Sequence, residues 1–412
     1  GRLFSGTIKQ GQEVYLNNDK VKSRIQIVYI YNGVKPEMIE ELPAGNVLAI
    51  TGVNAAAGET ITFEPEKPFE ELKHIFDPVI TKSVEPVSSA DLPKVIEVLR
   101  KSAKEDPSIQ IEINEETGEC LMSGMGELHL EIIENRIKDE KGVKIKTSPP
   151  IVVYRETITK PSQEAEGKSP NKHNKFFLKV EPLEPEVHQA IKDGKIDQGR
   201  IKKGDTQLRE ILMEAGYDRK DADSVRDIYN GSIYMDCTKG QVHMMEVEGM
   251  ILDMFEEVMN NGPLAREPCV KLKVKLMDMK LHEDAIHRGP GQVYPAVRDG
   301  IKDAMRTGNP VLFEPLQEQL IEAPEEAVGE VTKLISSKRG SLIDMNVNEQ
   351  GATLKASIPV MEMIGWGSDL RSATEGKGVS SLVSQSFEKL PDELQNEVIT
   401  RIRERKGLSE NQ

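Results

Sequence analysis

At 412 residues and a formal net charge of -15, the chain is long enough for about two to four domains, and no apolar run approaches the roughly 18–20 residues of a membrane span. Its three widely separated cysteines form no Cys-x-x-Cys pair, which argues against a disulfide framework and a zinc site and indicates a cytoplasmic protein. The negative charge argues against binding nucleic acid over the whole surface, because that affinity comes mostly from Lys and Arg, but it leaves room for contact through local basic loops.

Residues 1–66 predict part of a small β-barrel. Short strands alternate with Gly and Asn turns, and no segment has the apolar period of a convincing amphipathic helix. The predicted strands lie at residues 5–10, 13–16, 23–30 and 45–50. The chain has no initiator Met and begins inside a strand pattern, so we expect a fragment of a longer protein.

Residues 67–148 predict the β-α-β-β-α-β order of a ferredoxin-like domain. The predicted elements are a strand at 79–84, a helix at 92–103, strands at 109–113 and 119–122, a helix at 128–137 and a strand at 143–146. A polar hairpin turn at residues 114–118 joins the two central strands.

The same order returns at residues 311–387, where we predict a second ferredoxin-like domain. The predicted elements are a strand at 312–321, a helix at 327–335, two strands around a turn at 348–351, a short helix near 369–374 and a strand near 379–385.

Residues 149–310, together with 388–412, predict a protruding α+β domain between the two repeats. The predicted elements are strands at 176–180, 232–235 and 270–276 and helices at 246–260, 297–305 and 392–406. The predicted fold class is therefore multidomain α+β, with a partial β-barrel and two ferredoxin-like domains flanking the protruding one.

The most informative loop is Leu281-His282-Glu283-Asp284-Ala285-Ile286-His287-Arg288-Gly289, between a strand and a helix. Loops held by rigid elements are where binding and catalytic residues concentrate. One interpretation is a metal site at His282 and His287. However, a spacing of five residues does not place two imidazoles on one helical face, and no Cys is near. The other interpretation is a surface loop with solvated charges.

A second polar loop, Ser169-Pro170-Asn171-Lys172-His173-Asn174-Lys175, is cationic and rich in turn-forming residues. It is either a solvated linker or a tip that contacts phosphate groups through Lys172 and Lys175. The preceding Gly167-Lys168-Ser169 supplies only the end of a phosphate-binding loop, because Ser162 stands where the first Gly of that motif is required.

The single tryptophan, Trp366, lies between two glycines and close to Arg371. It either stacks on RNA or fills a local core. Spacing alone supports no Ser-His-Asp or Cys-His catalytic arrangement.

Four segments resemble translation elongation factor 2 of archaea and eukaryotes. They are Ser123-Gly124-Met125-Gly126-Glu127-Leu128-His129-Leu130, Ser169-Pro170-Asn171-Lys172-His173-Asn174, Asp284-Ala285-Ile286-His287-Arg288-Gly289 and Leu370-Arg371-Ser372-Ala373-Thr374-Glu375-Gly376-Lys377-Gly378. The second and third favour the archaeal–eukaryotic branch over bacterial elongation factor G. Pro290 departs from the triple glycine of the eukaryotic loop and favours an archaeal source.

The resemblance runs along the whole chain and implies the part of a ribosomal translocase from mid-barrel onward, without its GTPase domain. The full-length family hydrolyses GTP, whereas this chain would supply ribosome and RNA contacts and no GTPase activity by itself. GTP and magnesium are then expected on the missing GTPase domain, with no cofactor on this chain. The implied partners are the small-subunit decoding region, the large-subunit stalk base, tRNA and mRNA, with no membrane and a monomeric state.

The resemblance also implies a site. His287 corresponds to the histidine that the family converts to diphthamide, so diphthamide-synthesis enzymes are expected partners, and we expect His287 at an exposed loop tip. No catalytic residue and no metal ligand is expected. The residues expected to contact RNA and the ribosome are His282, Arg288, Gly289, Ser169, Pro170, Asn171, Lys172, His173 and Asn174. Two alternatives stay open: a GTPase-free paralogue that binds ribosomes, and a metal-dependent hydrolase that uses His282 and His287.

Overall fold

The structure, a computed structural model, describes residues 1–69, 78–88, 91–114, 119–139, 142–201, 205–238, 243–348 and 351–408. It separates into two compact units, Gly1–Ile151 and Val152–Gln412. Among the described residues, no helix is both long enough and apolar enough to cross a membrane. The multidomain α+β class predicted from the sequence is confirmed.

The first unit begins with short antiparallel strands around a small apolar core. The strands are β1 (Thr7–Lys9), β2 (Glu13–Leu16), β3 (Val21–Arg24), β4 (Ile27–Asn32), β5 (Lys35–Ile39), β6 (Glu41–Pro43), β7 (Ala49–Thr51) and β8 (Ile61–Thr62). They pair as β1–β6, β3–β2–β8 and β5–β4–β7. The strand predicted at 23–30 is two strands, because the Ile25 N–H donates to Gln12 whereas the Gln26 N–H donates to Thr51.

The rest of the first unit has the predicted ferredoxin-like order. Its elements are β9 (Ile80–Pro86), α1 (Leu92–Glu105), β10 (Gln110–Asn114), β11 (Glu119–Gly124), α2 (Glu127–Asp139) and β12 (Ile145–Thr147). The strands run β10–β11–β9–β12 across the sheet. Each helix buries an apolar stripe, with Val95 and Leu99 in α1 and Leu130 and Ile133 in α2. Residues 115–118 of the predicted hairpin turn lie outside the described residues.

The second unit is built around a sheet with helices on both faces. The two-residue strand β13 (Ile151–Val152) comes first in this part of the chain. The elements that follow it, as far as Thr307, are β14 (Arg155–Ile158), β15 (Ala165–Lys168), β16 (Lys175–Pro182), α3 (Pro185–Lys192), β17 (Gly199–Arg200), α4 (Thr206–Glu214), α5 (Arg219–Ala222), β18 (Val225–Tyr229), β19 (Ser232–Asp236), α6 (Met244–Asn260), β20 (Leu272–Lys280) and α7 (Pro290–Thr307). The sheet order is β15–β16–β20–β19–β18–β17. β19 and β20 run parallel, and the other neighbours are antiparallel.

The two faces of this sheet carry separate cores. α6 and α7 cover one face, where Leu178, Phe255 and Val297 are fully buried. α3, α4 and α5 cover the other face, where Val187 and Leu212 are fully buried. Burial on both sides makes the sheet a rigid support for the loops at its edges.

α7 lies directly against β15 through two glycines. A Cβ atom on Gly167 would lie 2.1 Å from the Ala296 carbonyl oxygen, and one on Gly300 would lie 3.0 Å from the Gly167 Cα. Glycine at both positions therefore permits this close approach of strand and helix. Because β15 leads into residues 169–174 and α7 follows residues 281–289, the contact sets the spacing of those two loops.

The second ferredoxin-like order follows. Its elements are β21 (Pro310–Ala323), α8 (Val328–Ser337), β22 (Ser341–Asn348), β23 (Gly351–Pro359), α9 (Trp366–Ala373) and β24 (Val379–Lys389). The strands run β22–β23–β21–β24, which is the permutation found in the first unit, and β14 pairs with the first residues of β21. Residues 349–350 of the predicted turn lie outside the described residues. The predicted pair of ferredoxin-like folds is confirmed.

The last described helix, α10 (Asp392–Arg405), is anchored at both ends. Near its start, the Gln395 side chain accepts the Leu312 N–H and donates to the Leu312 carbonyl oxygen. At its other end, Arg403 donates to the Leu264 carbonyl oxygen and Lys406 donates to the next two carbonyl oxygens. The helix thereby ties β21 to the loop that follows α6.

Candidate functional site

Two loops of the second unit lie side by side. The hairpin loop, residues 169–174, joins β15 to β16, and the histidine loop, residues 281–289, joins β20 to α7. β16 and β20 are antiparallel neighbours, with Lys175 opposite Lys280, so both loops leave the sheet at the same edge. We call the two loops together the tip.

The hairpin loop is closed on itself by Ser169. Its hydroxyl donates to Asn171 Oδ1 at 2.6 Å and accepts the Asn174 N–H at 2.9 Å. Its own N–H donates to the Asn174 carbonyl oxygen at 3.0 Å. Ser169 and Asn174 are 1% and 0% exposed. The exposed residues of the loop are Pro170, Lys172 and His173.

Asn174 joins the two loops through both ends of its side-chain amide. Its Oδ1 accepts the His282 N–H at 3.0 Å, and its Nδ2 donates to the His287 carbonyl oxygen at 2.7 Å. A further bond, from the Asn171 N–H to Gln292 Oε1 at 3.0 Å, ties the hairpin loop to the first turn of α7. The hairpin loop therefore holds the histidine loop at both of its ends.

Arg288 holds the histidine loop from inside. Its Nη1 donates to the carbonyl oxygens of His282 and Glu283 at 2.6 and 2.9 Å, and its Nη2 donates to Glu246 at 2.6 Å. Arg288 is 5% exposed. Hydrogen bonds from His243 and then from Arg288 lower the pKa of the Glu246 carboxyl group. The guanidinium therefore bonds to groups of the protein itself and has almost no surface for a partner.

Three imidazole rings meet at the tip. The ring centres of His282 and His287 lie 4.6 Å apart, and that of His173 lies 4.9 Å from His282 and 5.3 Å from His287. His173 is exposed, and the other two are half-buried. His282 Nδ1 accepts the Asp284 N–H at 3.1 Å, which places the proton of the neutral ring on Nε2.

A metal ion would require unprotonated ring nitrogens that converge on one point. In this arrangement Nδ1 of His282 accepts the Asp284 N–H, so the other nitrogen of the neutral ring carries the proton. Within the part of the chain that the structure describes, no three His, Cys, Asp or Glu side chains form a group suited to a metal ion. The geometry gives the metal interpretation of His282 and His287 no support.

Three of the residues expected to contact RNA are buried, and His287 is less exposed than expected. Ser169, Asn174 and Arg288 are buried, so they support the loops and have almost no surface with which to contact a partner. His287 is half-buried instead of exposed, because its carbonyl group is held by Asn174 and its ring lies against two other imidazoles. The predicted contact residues that keep accessible surface are Pro170, Asn171, Lys172, His173, His282 and Gly289.

Two residues that hold the tip carry no signal in the sequence. Glu246 lies 42 residues before Arg288, and Gln292 lies 121 residues after Asn171. Both belong to helices whose apolar stripes are readable, but a polar residue in a helix does not reveal its distant partner. The fold alone brings these pairs together.

Trp366 is a core residue of the second ferredoxin-like fold. It is 6% exposed, and its Nε1 donates to Ser380 Oγ at 3.1 Å. The interpretation as a local core residue is confirmed, and the ring has little surface left for stacking on RNA. The segment 167–169 leads into a hairpin between antiparallel strands, whereas a phosphate-binding loop leads into a helix.

The first unit contains a Ser-His-Asp group, but its ring proton lies on the imidazole nitrogen that a catalytic serine would need as its base. The Ser108 hydroxyl donates to Asp106 Oδ1 at 2.5 Å. His129 Nδ1 accepts the Met125 N–H at 3.3 Å, so Nε2 carries the ring proton and faces Asp106 at 3.2 Å. A nucleophilic serine needs an unprotonated imidazole nitrogen as its base. The group instead ties α2 to the segment before β10.

Comparison with known protein families identifies the class of protein. Four family models match in chain order: elongation factor Tu domain 2 over residues 1–62, elongation factor G domain III over 75–149, elongation factor G domain IV over 194–309 and elongation factor G C-terminus over 311–398. The chain is thus composed of translation elongation factor domains, and the histidine loop falls within the domain IV match.

Individual relatives narrow this class. The chain is 48% identical over its whole length to elongation factor 2 of Pyrococcus abyssi, and 48% identical over 99% of its length to elongation factor 2 of Nanoarchaeum equitans. Elongation factor 2 of Methanococcoides methylutens is also 48% identical over the whole chain. The chain belongs to the elongation factor 2 family, as its motifs predicted, and it spans 56% of the length of each of these relatives.

Proposed function

We propose that this chain provides the ribosome-contacting part of a translocase that moves tRNA and mRNA during protein synthesis. The observation that carries the proposal is its similarity to elongation factor 2 over the whole chain. The tip supports this proposal, because folded RNA is recognised largely through shape, phosphate and 2′-hydroxyl contacts. Such contacts suit loops that are held in a fixed arrangement. The tip would contact the small-subunit decoding region with its tRNA and mRNA, and the second ferredoxin-like fold would face the large-subunit stalk base.

Ribosome binding tests this proposal. The purified chain should sediment with archaeal ribosomes, and full-length elongation factor 2 should displace it. Replacing the exposed Lys172 and His173 together by Ala should weaken binding, and added salt should weaken binding of the parent chain more steeply than binding of the variant. Lys22→Ala is the matched control, because it removes an exposed cation far along the chain from the tip. Failure of the parent chain to bind at low salt would refute the proposal.

The proposal makes His287 the site of diphthamide modification. It rests on the match of residues 284–289 to the family motif and on the place of His287 among the three imidazoles of the tip. In chain produced by an archaeal host, the peptide that contains His287 should carry added mass. The same peptide from bacteria should not, because the modification needs dedicated enzymes. Added mass on His282, or toxin-catalysed ADP-ribosylation that survives His287→Ala, would contradict the assignment.

No residue of this chain is proposed to bind GTP, magnesium or another metal, and the chain is proposed to act as a cytoplasmic monomer. Its expected partners other than the ribosome, tRNA and mRNA are the enzymes that synthesise diphthamide. Size-exclusion chromatography with light scattering should give the mass of one chain at micromolar concentration, and a stable dimer would contradict the monomer.

A further inference from the structure

Asn174 is fully buried at the centre of the tip, so its side chain has no surface for the proposed RNA contact. Its amide instead makes one hydrogen bond to each end of the segment from His282 to His287. The orientation of this amide is fixed by its partners. A flipped amide would turn its NH2 group toward the His282 N–H and its oxygen toward the His287 carbonyl oxygen, and both contacts would be repulsive.

The segment between these two bonds is also held by hydrogen bonds of its own, among them one from the His287 N–H to the Asp284 carbonyl oxygen at 3.1 Å. It forms a 3₁₀ turn, Ala285–Arg288, that begins where Asp284 Oδ1 accepts the Ile286 N–H at 3.1 Å. Arg288 holds the carbonyl groups of His282 and Glu283 at the start of the segment. At the other end, the bond from Asn174 holds the His287 carbonyl group itself. Asn174 therefore joins this turn to the hairpin loop at His287 itself, next to the ring that is proposed to be modified.

We infer that Asn174 is a positioning residue for the modification of His287, and that the modifying enzyme recognises the assembled tip instead of the histidine-loop sequence alone. This inference rests on the proposed modification of His287. The bond from Asn174 fixes the backbone of His287, and the ring is then held 4.6 Å from His282 and 5.3 Å from His173. An enzyme that acts on one imidazole among three needs this fixed arrangement to reach the correct ring.

Two substitutions separate the contributions of the amide. Asn174→Ala removes both bonds. Asn174→Asp keeps an acceptor for the His282 N–H but sets a carboxylate oxygen against the His287 carbonyl oxygen. Because a misplacement of about 1 Å can slow a reaction by roughly a hundredfold, each variant should lower the initial rate of His287 modification in an archaeal host by at least about tenfold.

Gln395→Ala is the matched control for lost stability. Gln395 is another buried side-chain amide of the second unit, and it also bonds backbone groups at two places, the distant Leu312 and the nearby Leu390. Its loss should lower the melting temperature to a similar extent but leave the rate of His287 modification unchanged. Hydrogen exchange at the His282 amide should become faster in Asn174→Ala and stay unchanged in Gln395→Ala.

Each result of this comparison has one meaning. We expect the wild-type chain to be modified at His287 and Gln395→Ala to be modified at the same rate. Both Asn174 variants should be modified at least about tenfold more slowly. Normal modification of Asn174→Asp overturns the inference while leaving the proposed function intact. Equal losses in Gln395→Ala and Asn174→Ala also overturn it, because lost stability would then account for both. Wild-type chain without added mass at His287 overturns the proposed modification, and the inference with it.

Discussion

The close contact between β15 and α7 allows a direct test of how the tip is built. In Gly167→Ala, the new Cβ would lie 2.1 Å from the Ala296 carbonyl oxygen and 3.3 Å from the Gly300 Cα. Backbone atoms cannot rotate away as the end of a side chain can. Since a carbon and a carbonyl oxygen need a separation of about 3.3 Å, the strand and the helix must move apart by about 1 Å.

That movement has an energetic and a geometric consequence. Overpacking costs about 1–3 kcal/mol, and we expect about 2–3 kcal/mol here because backbone meets backbone. In a unit of this size, such a loss lowers the melting temperature by roughly 4–12 °C. The hairpin loop would also move away from α7, so the bond from the Asn171 N–H to Gln292, now 3.0 Å long, should break.

Thermal unfolding followed by circular dichroism measures the first effect, and hydrogen exchange at the Asn171 amide measures the second. Gly249→Ala is the matched control, because a Cβ atom at that position in α6 meets nothing within 4 Å. Alanine is favoured over glycine in a helix interior by up to about 1 kcal/mol, so this variant should melt at a higher temperature than the parent chain. An unchanged melting temperature for Gly167→Ala, or an Asn171 amide that stays protected, would refute the proposed role of the contact.

Calorimetric titration of the chain with GTP and magnesium should give no binding heat, because the one segment that resembles a phosphate-binding loop lies in a hairpin; binding at micromolar concentration would contradict this. Arg288→Ala should lower the free energy of unfolding in urea by about 2–3 kcal/mol, because loop carbonyl groups and Glu246 lose their donor; an unchanged urea midpoint would leave the guanidinium without a structural role. Burial, and then the charges of Lys271 and Lys192, lower the pKa of His188 to about 4 from 6.5. As pH falls, the unfolded chain takes up this proton first, so stability present above pH 6.5 is lost progressively toward pH 4, and His188→Gln should reduce that loss; identical pH profiles for parent and variant would show that His188 does not contribute.

The ferredoxin-like folds could be predicted from the sequence because their apolar positions follow regular periods. Val95 and Leu99 are four residues apart and share one face of α1, and Ile321 and Leu354 lie in the core of the second fold. A repeated order of such patterns restricts the sheet to few topologies. The strand at 13–16 follows the same rule, since Val14 and Leu16 are buried whereas Glu13 is exposed.

Elements without an apolar period escaped prediction. β15 has the residues Ala-Glu-Gly-Lys and is a strand because β16 pairs with it and α7 covers it. The lysines of β20 would ordinarily face water, yet Lys273 is 7% exposed and pairs with Glu181 and Glu184. Nothing in the local pattern shows that α3, α4 and α5 cover that face, because the partners are far apart in the chain.

The candidate site likewise has a part that can be predicted from the sequence and a part that cannot. The sequence identified the histidine loop, and the family resemblance placed the hairpin loop beside it. The inside of the tip was not predictable, because Asn171 and Asn174 are alike in the sequence although one keeps accessible surface and the other is 0% exposed. Whether a polar loop residue points inward depends on distant partners, which here are His282 and His287.

The double anchoring of α10 has a mechanical consequence. Its 14 residues span about 21 Å, and its two ends are bonded to β21 and to the loop that follows α6. A helix fixed in this way acts as a strut, because it resists compression and bending far better than an extended segment. We therefore expect α10 to transmit a displacement of the loop after α6 to β21. Distances between spin labels at the two ends of α10 should stay constant when the chain binds the ribosome. A change in these distances would show that the helix bends or shortens.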